Sequence, residues 1–576
     1  MHWRTPIVMN AANVVSVWRT VQAESRWFGA TLGYSFAINL LGLTSSIYML
    51  QVYDRVLTSY SVATLIVLSL IAAFAFVAMG GLEALRNALL QRAGARIAHR
   101  LGPYAFQVQL RGSALDNVPS TQPLRDTETI RGLIAGPAAT AAFDLPWSPI
   151  YFVLLYVLHP ALFWLTAAAA VVLALVAYWN DRLNAAASAT AATANLKTMQ
   201  FAESAARAGE PLVAMGASSG ITGFWLGRSR SATEMALHAT EREAALHSLA
   251  KFFRNCLQTL LLGVGAGLTI AGELSSGGLI AGTILGTRAI APIEAAIGAW
   301  KTVLSAREAW GRLDAVLRVL TAASAGMTLP RPSGAVSAEG VALVPPGAQR
   351  PILTRLTFAL GRGEQLAIVG PSGSGKSTLI RAIMGLLPCA TGSIRIDGAE
   401  VTAWQKNDLG RWIGYLPQAP VPIAGTIAQN IARFSDATSE DIIAAARLAG
   451  VHDLILSLPN GYDTDLTSVR LSGGQMQRIA LAGALFGDRP VIVLDEPEAH
   501  LDTEGETQLR QALQQLRAKG TTVIIVSHRP SAVQIADKLL LLRDGHAEFG
   551  PRDEILGKIM RATASVATQK SRAAGE

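Results

Sequence analysis

The sequence predicts a multidomain membrane protein, an all-α bundle of six spanning helices followed by a soluble α/β domain. Three observations predict it. Hydrophobic residues make up 51% of the 576 residues and charged residues only 16%, against about 25% charged in an ordinary soluble chain. The apolar excess lies in the first 300 residues, and the last 240 read like a soluble domain. Beyond residue 350, short apolar strands alternate with helical stretches, the pattern of an α/β layer fold.

Crossing a bilayer takes about 20 mostly apolar residues. Six stretches qualify, near 28–50, 62–82, 138–158, 161–179, 254–274 and 277–298. The third is the weakest because it holds Asp144 and Pro146, and a His159-Pro160 turn joins it to the fourth. The first stretch is far longer than a signal-peptide core and a second follows soon after, so it reads as a retained helix. Between the first two stretches lie Asp54 and Arg55, and between the last two lies Glu273 with no Lys or Arg. Between the second and third lie Arg86, Arg92, Arg96, Arg100, Arg111, Arg125 and Arg131. Between the fourth and fifth lie Arg182, Lys197, Arg207, Arg228, Arg230, Arg242, Lys251 and Arg254. Positive charge therefore alternates by side, which assigns the basic connections and both termini to the cytoplasm.

The two basic connections are long, Ala-rich and poor in Gly and Pro, so they read as helices continuing out of the membrane. Residues 1–26 form a cytoplasmic or interfacial segment, either an amphipathic helix using Val14, Val15 and Trp18 or an unstructured tail. The transmembrane domain then covers 27–320. A Pro/Gly-rich linker covers 321–350, the α/β domain 335–560 and a polar tail 561–576. The net charge of +8 suits the anionic inner leaflet of a membrane, and the apolar stretches favour that over nucleic acid. Cys256 and Cys389 are far apart and outside any CxxC, which excludes a disulfide framework or a zinc site and leaves two small apolar side chains.

The segment Gly370-Pro371-Ser372-Gly373-Ser374-Gly375-Lys376-Ser377-Thr378 fits G-x-x-x-x-G-K-[ST], between a strand at 365–369 and a helix at 379–387. Glycines let backbone N–H groups wrap phosphates, and the helix N-terminus adds a favourable dipole. Lys376 is placed to reach the β- and γ-phosphates of a nucleotide and Ser377 to hold Mg²⁺. Val491–Asp495 reads as a buried strand ending in two carboxylates, Asp495 for the magnesium shell and Glu496 as base for the attacking water.

Leu471-Ser472-Gly473-Gly474-Gln475 resembles the signature motif of ATP-binding cassettes, and the resemblance covers about 350 to 555. It implies a P-loop nucleotide-binding domain of the ABC type, with ATP and Mg²⁺ as cofactors. It also makes Gln418 the Q-loop residue, which reaches the metal, Asp502 the D-loop residue and His528 the switch histidine beside the base Glu496. In that family two cassettes pair head to tail, each ATP lying between one phosphate loop and the other chain's signature. The resemblance thus places Ser472, Gly473, Gly474 and Gln475 against the γ-phosphate of the partner's site and implies a homodimer.

Several membrane-half segments resemble the exporters of bacterial type I secretion systems, closest to the protease- and lipase-exporting PrtD type. These are Ile47–Val56, Phe143–Tyr151, Ala214–Gly216 and Arg288–Glu294. The resemblance implies ATP-driven export of a polypeptide across the bacterial inner membrane, with a periplasmic membrane-fusion adaptor and an outer-membrane channel as partners. An exporter of lipid or a drug-like substrate is the alternative, with the same fold and ATP chemistry. Asp54 with Arg55, and Arg288 with Glu294, are near-membrane charges that either line a cavity or form structural pairs.

Four features depart from the family pattern. Only about 26 residues precede the first spanning stretch, too few for the papain-like leader peptidase of some relatives, which points to a cargo with an uncleaved C-terminal signal. Val341–Gln349 holds no aromatic residue to stack on adenine, so either an apolar residue such as Leu343 or Val344 packs on the ring or nucleotide selectivity is loose. Asp465–Arg470 lacks the glycines usual before the signature, and Gly483 stands where an arginine is common.

Overall fold

The computed structural model describes residues 16–116, 121–323, 329–345, 347–348, 350–527, 529–559 and 561. Val14 and Val15, His528 and all of the polar tail except Arg561 lie outside the described residues. Two compact units make up the chain, one built from Val15–Gln109 with Ser120–Arg318 and the other from Leu110–Asp116 with everything described from Val319 on.

Helices occupy all six predicted spanning stretches. Among the described residues, four helical segments are long and apolar enough to cross a membrane: Ser25–Ser59, Val62–Gly112, Pro137–Leu158 and Ser276–Arg318. A fifth, Pro160–Val176, is apolar but shorter. The stretch predicted near 254–274 closes the helix Ser218–Ile270, where Arg254, Asn255 and Gln258 dilute the apolar run. The basic connections are helices, as their composition predicts. Val62–Asp116 runs unbroken for 55 residues, Pro160–Arg207 for 48 and Ser218–Ile270 for 53. At a rise of 1.5 Å per residue each is roughly 70–80 Å long, against about 30 Å of hydrocarbon. Near the N-terminus a short helix, Val17–Gln22, is capped by Ser16, whose Oγ accepts from Arg19 N–H at 3.2 Å.

Two spanning helices are broken. The first bends at Gly42–Leu43 and passes through a π-turn at Val52–Val56 before ending at Tyr60 with φ 52°. The other breaks at Leu145–Trp147, where Pro146 follows the helix Pro137–Asp144 and precedes Ser148–Leu158. Tyr151, Leu155, Leu162, Leu173, Leu261 and Ile290 fill the bundle core.

Of the two readings of the near-membrane charges, Asp54 and Glu294 take the structural one, with other partners than Arg55 and Arg288. Asp54 does not pair with Arg55; it accepts from Ser275 Oγ at 2.6 Å and Gly277 N–H at 2.8 Å, capping the helix that starts at Ser276. Glu294 pairs with Arg254 at 3.4 Å instead of Arg288. The most buried pair of the bundle is Arg86 with Asp144, at 2.7 Å, where Asn39 Nδ2 also donates to Asp144 at 3.1 Å and Arg86 donates to Ser35 Oγ at 3.1 Å.

The second unit holds two sheets. Strands β1 (Val336–Leu343), β2 (Leu353–Leu360), β4 (Thr391–Ile396) and β5 (Ala399–Glu400) form an antiparallel sheet in the order β2-β1-β4-β5. Strands β3 (Gln365–Val369), β6 (Ile413–Leu416), β7 (Val491–Asp495), β8 (Thr522–Val526), β9 (Lys538–Arg543) and β10 (His546–Pro551) form the other, in the order β10-β9-β3-β8-β7-β6. All its pairings are parallel except β9 with β10. β7 and β8 are buried at every position, so they read as continuous Val/Ile/Leu runs rather than alternating ones. In such a sheet, ligands bind beyond the carboxyl ends of the strands. The loops after β3 and β7 emerge there.

Candidate functional site

The phosphate loop connects β3 to the helix Lys376–Ile383. Gly373 and Gly375 have φ of 80° and 94°, which only glycine adopts cheaply, and they turn the backbone so that the helix N-terminus faces the loop. A Cβ at Gly370 would lie 2.4 Å from Leu542 O, and one at Gly375 would lie 2.9 Å from Ile352 Cγ2. The loop is thus packed from behind and opens to the other side. Lys376 is buried and donates from Nζ to Gly370 O at 2.8 Å and Pro371 O at 2.9 Å. Burial pulls its ammonium below the usual lysine range, while Glu496 and Asp495 partly restore it. A cation held this way is ready to exchange two carbonyls for phosphate oxygens.

At the end of β7, Asp495 is buried and Glu496 turns outward with φ 51°. Burial first, and the Glu496 charge second, raise the Asp495 carboxyl above its usual range; a Ser377 hydrogen bond, Lys376 and Arg381 pull it back. Glu496 Oε2 accepts from Gln418 Nε2 at 2.9 Å. The chain therefore brings Lys376, Ser377, Gln418, Asp495 and Glu496 to one place, as the sequence predicts. Ser377 hydroxyl, Asp495 carboxylate and Gln418 amide are all hard oxygen donors, which fits Mg²⁺ with water and phosphate completing its shell. Among the described residues no cluster of three His, Cys, Asp or Glu forms a metal cage, and such a Mg²⁺ site needs none.

The signature sits elsewhere in the same unit. Ser472 caps the helix Gly473–Leu485; its Oγ accepts from Gln475 N–H at 3.3 Å and Gln475 Oε1 accepts from Ser472 N–H at 2.9 Å, a capping box. A Cβ at Gly474 would lie 2.5 Å from His500 O, so this glycine is needed for close backbone approach. Among the described residues no hydrogen bond joins Ser472–Gln475 to the phosphate loop of the same chain. Asp502 caps the helix Thr503–Ala518 by accepting from Gly505 N–H at 2.8 Å. The switch position His528 lies outside the described residues; Ser527 and Arg529 on either side are described.

Some residues escape a reading by motif. Gln477 is buried on the signature helix and donates to Glu496 O at 3.3 Å, tying that helix to the carboxylate turn. Its polar side chain on a helix face rich in Ala, Ile and Leu is the only sequence signal for it. Of the two residues proposed to pack on adenine, Leu343 is fully buried, paired with Leu353 across β1 and β2, and unavailable to a ring; Val344 is half-buried. The glycine-poor segment before the signature is an Asx turn, where Asp465 Oδ1 accepts from Thr467 N–H at 2.7 Å and Thr467 Oγ1 at 2.6 Å. Those bonds hold the Asp465 carboxyl below its usual range. Gly483 is buried, and a Cβ there would touch Asn430 O at 3.4 Å and the Ile431 backbone at 3.8 Å, ordinary contact distances.

Comparison with known proteins gives the same architecture. The family model for the ABC transporter transmembrane region matches residues 29–287, and that for the ABC transporter matches 353–499. The type I secretion system ATP-binding protein PrsD of Rhizobium meliloti is 41% identical over 92% of each chain. The alpha-hemolysin translocation ATP-binding protein HlyB of Escherichia coli is 29% identical over 92% of this chain and 77% of its own. A bacterial Atm1-family ABC exporter with ATP bound matches at a TM-score of 0.78 and 23% identity, covering 95% of this chain and 98% of that one, which shows the fold. With its phosphate loop, twin carboxylates and signature on an exporter-type helical unit, the chain belongs to the ABC transporters of type I secretion, as a membrane-embedded ATPase.

Proposed function

We propose that the protein drives export of a polypeptide across the bacterial inner membrane, with both termini in the cytoplasm, by a cycle of ATP binding and hydrolysis in a homodimer. The observation that carries the chemistry is the Gln418–Glu496 hydrogen bond at 2.9 Å, beside buried Asp495 and Lys376. Lys376 exchanges its two loop carbonyls for β- and γ-phosphate oxygens, and the N–H groups of Gly373 to Thr378 wrap the phosphates. Ser377, Gln418 and Asp495 would hold Mg²⁺, which when bound would supply charge neutralisation at the transferred phosphoryl group. Glu496 accepts a proton from the attacking water, and Gln418 orients the carboxylate for it. Ser472, Gly473, Gly474 and Gln475 of the second copy close on the γ-phosphate, with Asp502 ordering the turn beside them and His528 contacting the same phosphate. Nucleotide then joins two cassettes, and hydrolysis releases them, which biases a two-state membrane unit.

The likeness to PrsD over 92% of the chain supports a polypeptide cargo, a periplasmic membrane-fusion adaptor and an outer-membrane channel. The resemblance of Ile47–Val56 and Phe143–Tyr151 to the protease- and lipase-exporting type supports a cargo of the protease, lipase or calcium-repeat kind with an uncleaved C-terminal signal. The test is ATPase of the full-length protein in lipid nanodiscs, with C-terminal peptides of candidate secreted proteins added. Stimulation by such a peptide, lost on deleting its last residues, supports the reading. Stimulation by a lipid or amphiphilic drug and by none of the peptides overturns it.

A further inference from the structure

Two residues beyond Glu496 stands another carboxylic acid, Glu498, that the hydrolytic scheme leaves unused. It is only 4% exposed. Its Oε1 accepts from Ser527 Oγ, and Ser527 is itself fully buried at the end of β8. Ser527 Oγ in turn accepts from Arg529 N–H at 3.0 Å. The two residues flanking position 528 are thus held by one hydroxyl, and that hydroxyl is held by Glu498. The other carboxylate oxygen, Oε2, is buried without a hydrogen-bond partner among the described residues. Beside it opens a cavity of about 180 Å³ lined by Glu498, Thr503, Glu506, Thr507 and Arg510 among others, and Glu506 pairs with Arg529. Backbone bonds fix the same turn, from Ala499 N–H to Glu496 O at 3.1 Å and from Leu501 N–H to Glu498 O at 3.2 Å.

A buried carboxyl costs several kcal/mol unless it is neutralised or bonded, so an apolar side chain is the default here. We propose that Glu498 is a positioning residue for hydrolysis: through Ser527 it fixes the end of β8, Ser527 and Arg529, relative to the Glu496 turn. This rests on the proposed roles of Glu496 and His528. Burial first, and the nearby Glu496 charge second, raise the Glu498 carboxyl above its usual range, with the Ser527 bond and Arg529 opposing. A Gln here keeps the shape and an oxygen that accepts from Ser527 Oγ, so it substitutes well.

The test compares E498A, E498Q, S527A, H528A and the E498A/H528A pair in the full-length protein, reading kcat and KM for ATP, nucleotide binding and melting temperature. Positioning predicts that E498A and S527A lose about 10- to 100-fold in kcat. KM, ATP binding and melting temperature stay near wild type, E498Q stays within about threefold in kcat, and E498A adds nothing in the H528A background. If E498A does not fold, S527A and E498Q decide. Wild-type kcat in E498A or S527A while H528A is inactive overturns the positioning role alone. A kcat loss that only follows lost binding or lost stability overturns it too, leaving a structural carboxyl. Wild-type turnover in H528A sinks the role assigned to that histidine, and with it the ground for positioning.

Discussion

Replacing Glu496 by Gln tests the proposed chemistry most directly. The amide keeps the shape of the side chain, and its oxygen can still accept from Gln418 Nε2, which lies 2.9 Å from Oε2. The backbone at φ 51° is equally costly for Glu and Gln, so the turn is undisturbed. What changes is charge and basicity. Loss of the general base costs about 10²- to 10⁴-fold in turnover, a barrier increase of about 3–5 kcal/mol. Binding moves the other way. Glu496 raises the Asp495 carboxyl, so without it Asp495 ionises more readily for metal, and one negative charge is gone from beside the nucleotide's terminal phosphate. The variant should hold ATP as tightly as wild type or tighter and accumulate as the nucleotide-joined dimer. Phosphate release gives the rate, and size-exclusion with light scattering, with and without ATP and Mg²⁺, gives the mass. Turnover within tenfold of wild type, or no ATP-dependent dimer, would refute the assignment of Glu496 as base.

Three further outcomes follow from particular contacts. Gly474→Ala puts a Cβ 2.5 Å from His500 O, a backbone atom that cannot swing away, so about 1–3 kcal/mol of overpacking falls on the first turn of the signature helix; ATPase at saturating ATP should fall while Lys376-dependent nucleotide binding survives. Breaking the Arg86–Asp144 pair with R86M or D144L alone should cost about 3–5 kcal/mol, and the R86M/D144L double variant should recover much of it, read by thermal unfolding in detergent. Asp54→Ala removes two hydrogen bonds from the start of the helix at Ser276 and should cost about 0.5–2 kcal/mol in the same assay, whereas R55A stays within about 0.5 kcal/mol.

The cassette was legible because its chemistry is local. A phosphate loop needs glycine at fixed offsets from Lys376, and a base must stand next to its metal ligand, so Gly370–Thr378 and Asp495-Glu496 declare themselves within a few residues. Residues that act through tertiary contact do not. Gln477 reaches Glu496 only because the signature helix packs on β6, the neighbour of β7, and Glu498 meets Ser527 across 29 positions. Leu343 failed as an adenine platform for a related reason. Strand register decides which face a side chain takes. Pairing of Leu343 with Leu353 sends it into the core between the sheets.

In the membrane unit the same limit applies to charge. Asp144 and Pro146 do not make Pro137–Leu158 the weakest span, since its mean hydropathy of 1.5 exceeds the 1.3 of Ser25–Ser59 and Ser276–Arg318, but these two residues decide where the helix breaks. Pro146 ends the first piece, and Asp144 then stands at its C-terminal end, where the helix dipole disfavours an anion. A carboxylate so placed needs a cation from elsewhere, and Arg86 supplies it across 58 positions, with Asn39 adding a hydrogen bond from the first helix. At the other break the signs are favourable. Gly42 closes the helix Ser25–Leu41, and the Arg288 guanidinium lies so near that a Cβ on Gly42 would stand 2.6 Å from Nη1 and 3.0 Å from the Tyr151 hydroxyl. A cation at a helix C-terminus is stabilised by the dipole, which accounts for Arg288 turning to the break and leaving Glu294 to Arg254. The charges in this bundle are therefore placed by where its helices stop, and a pairing drawn from sequence proximity has no access to that.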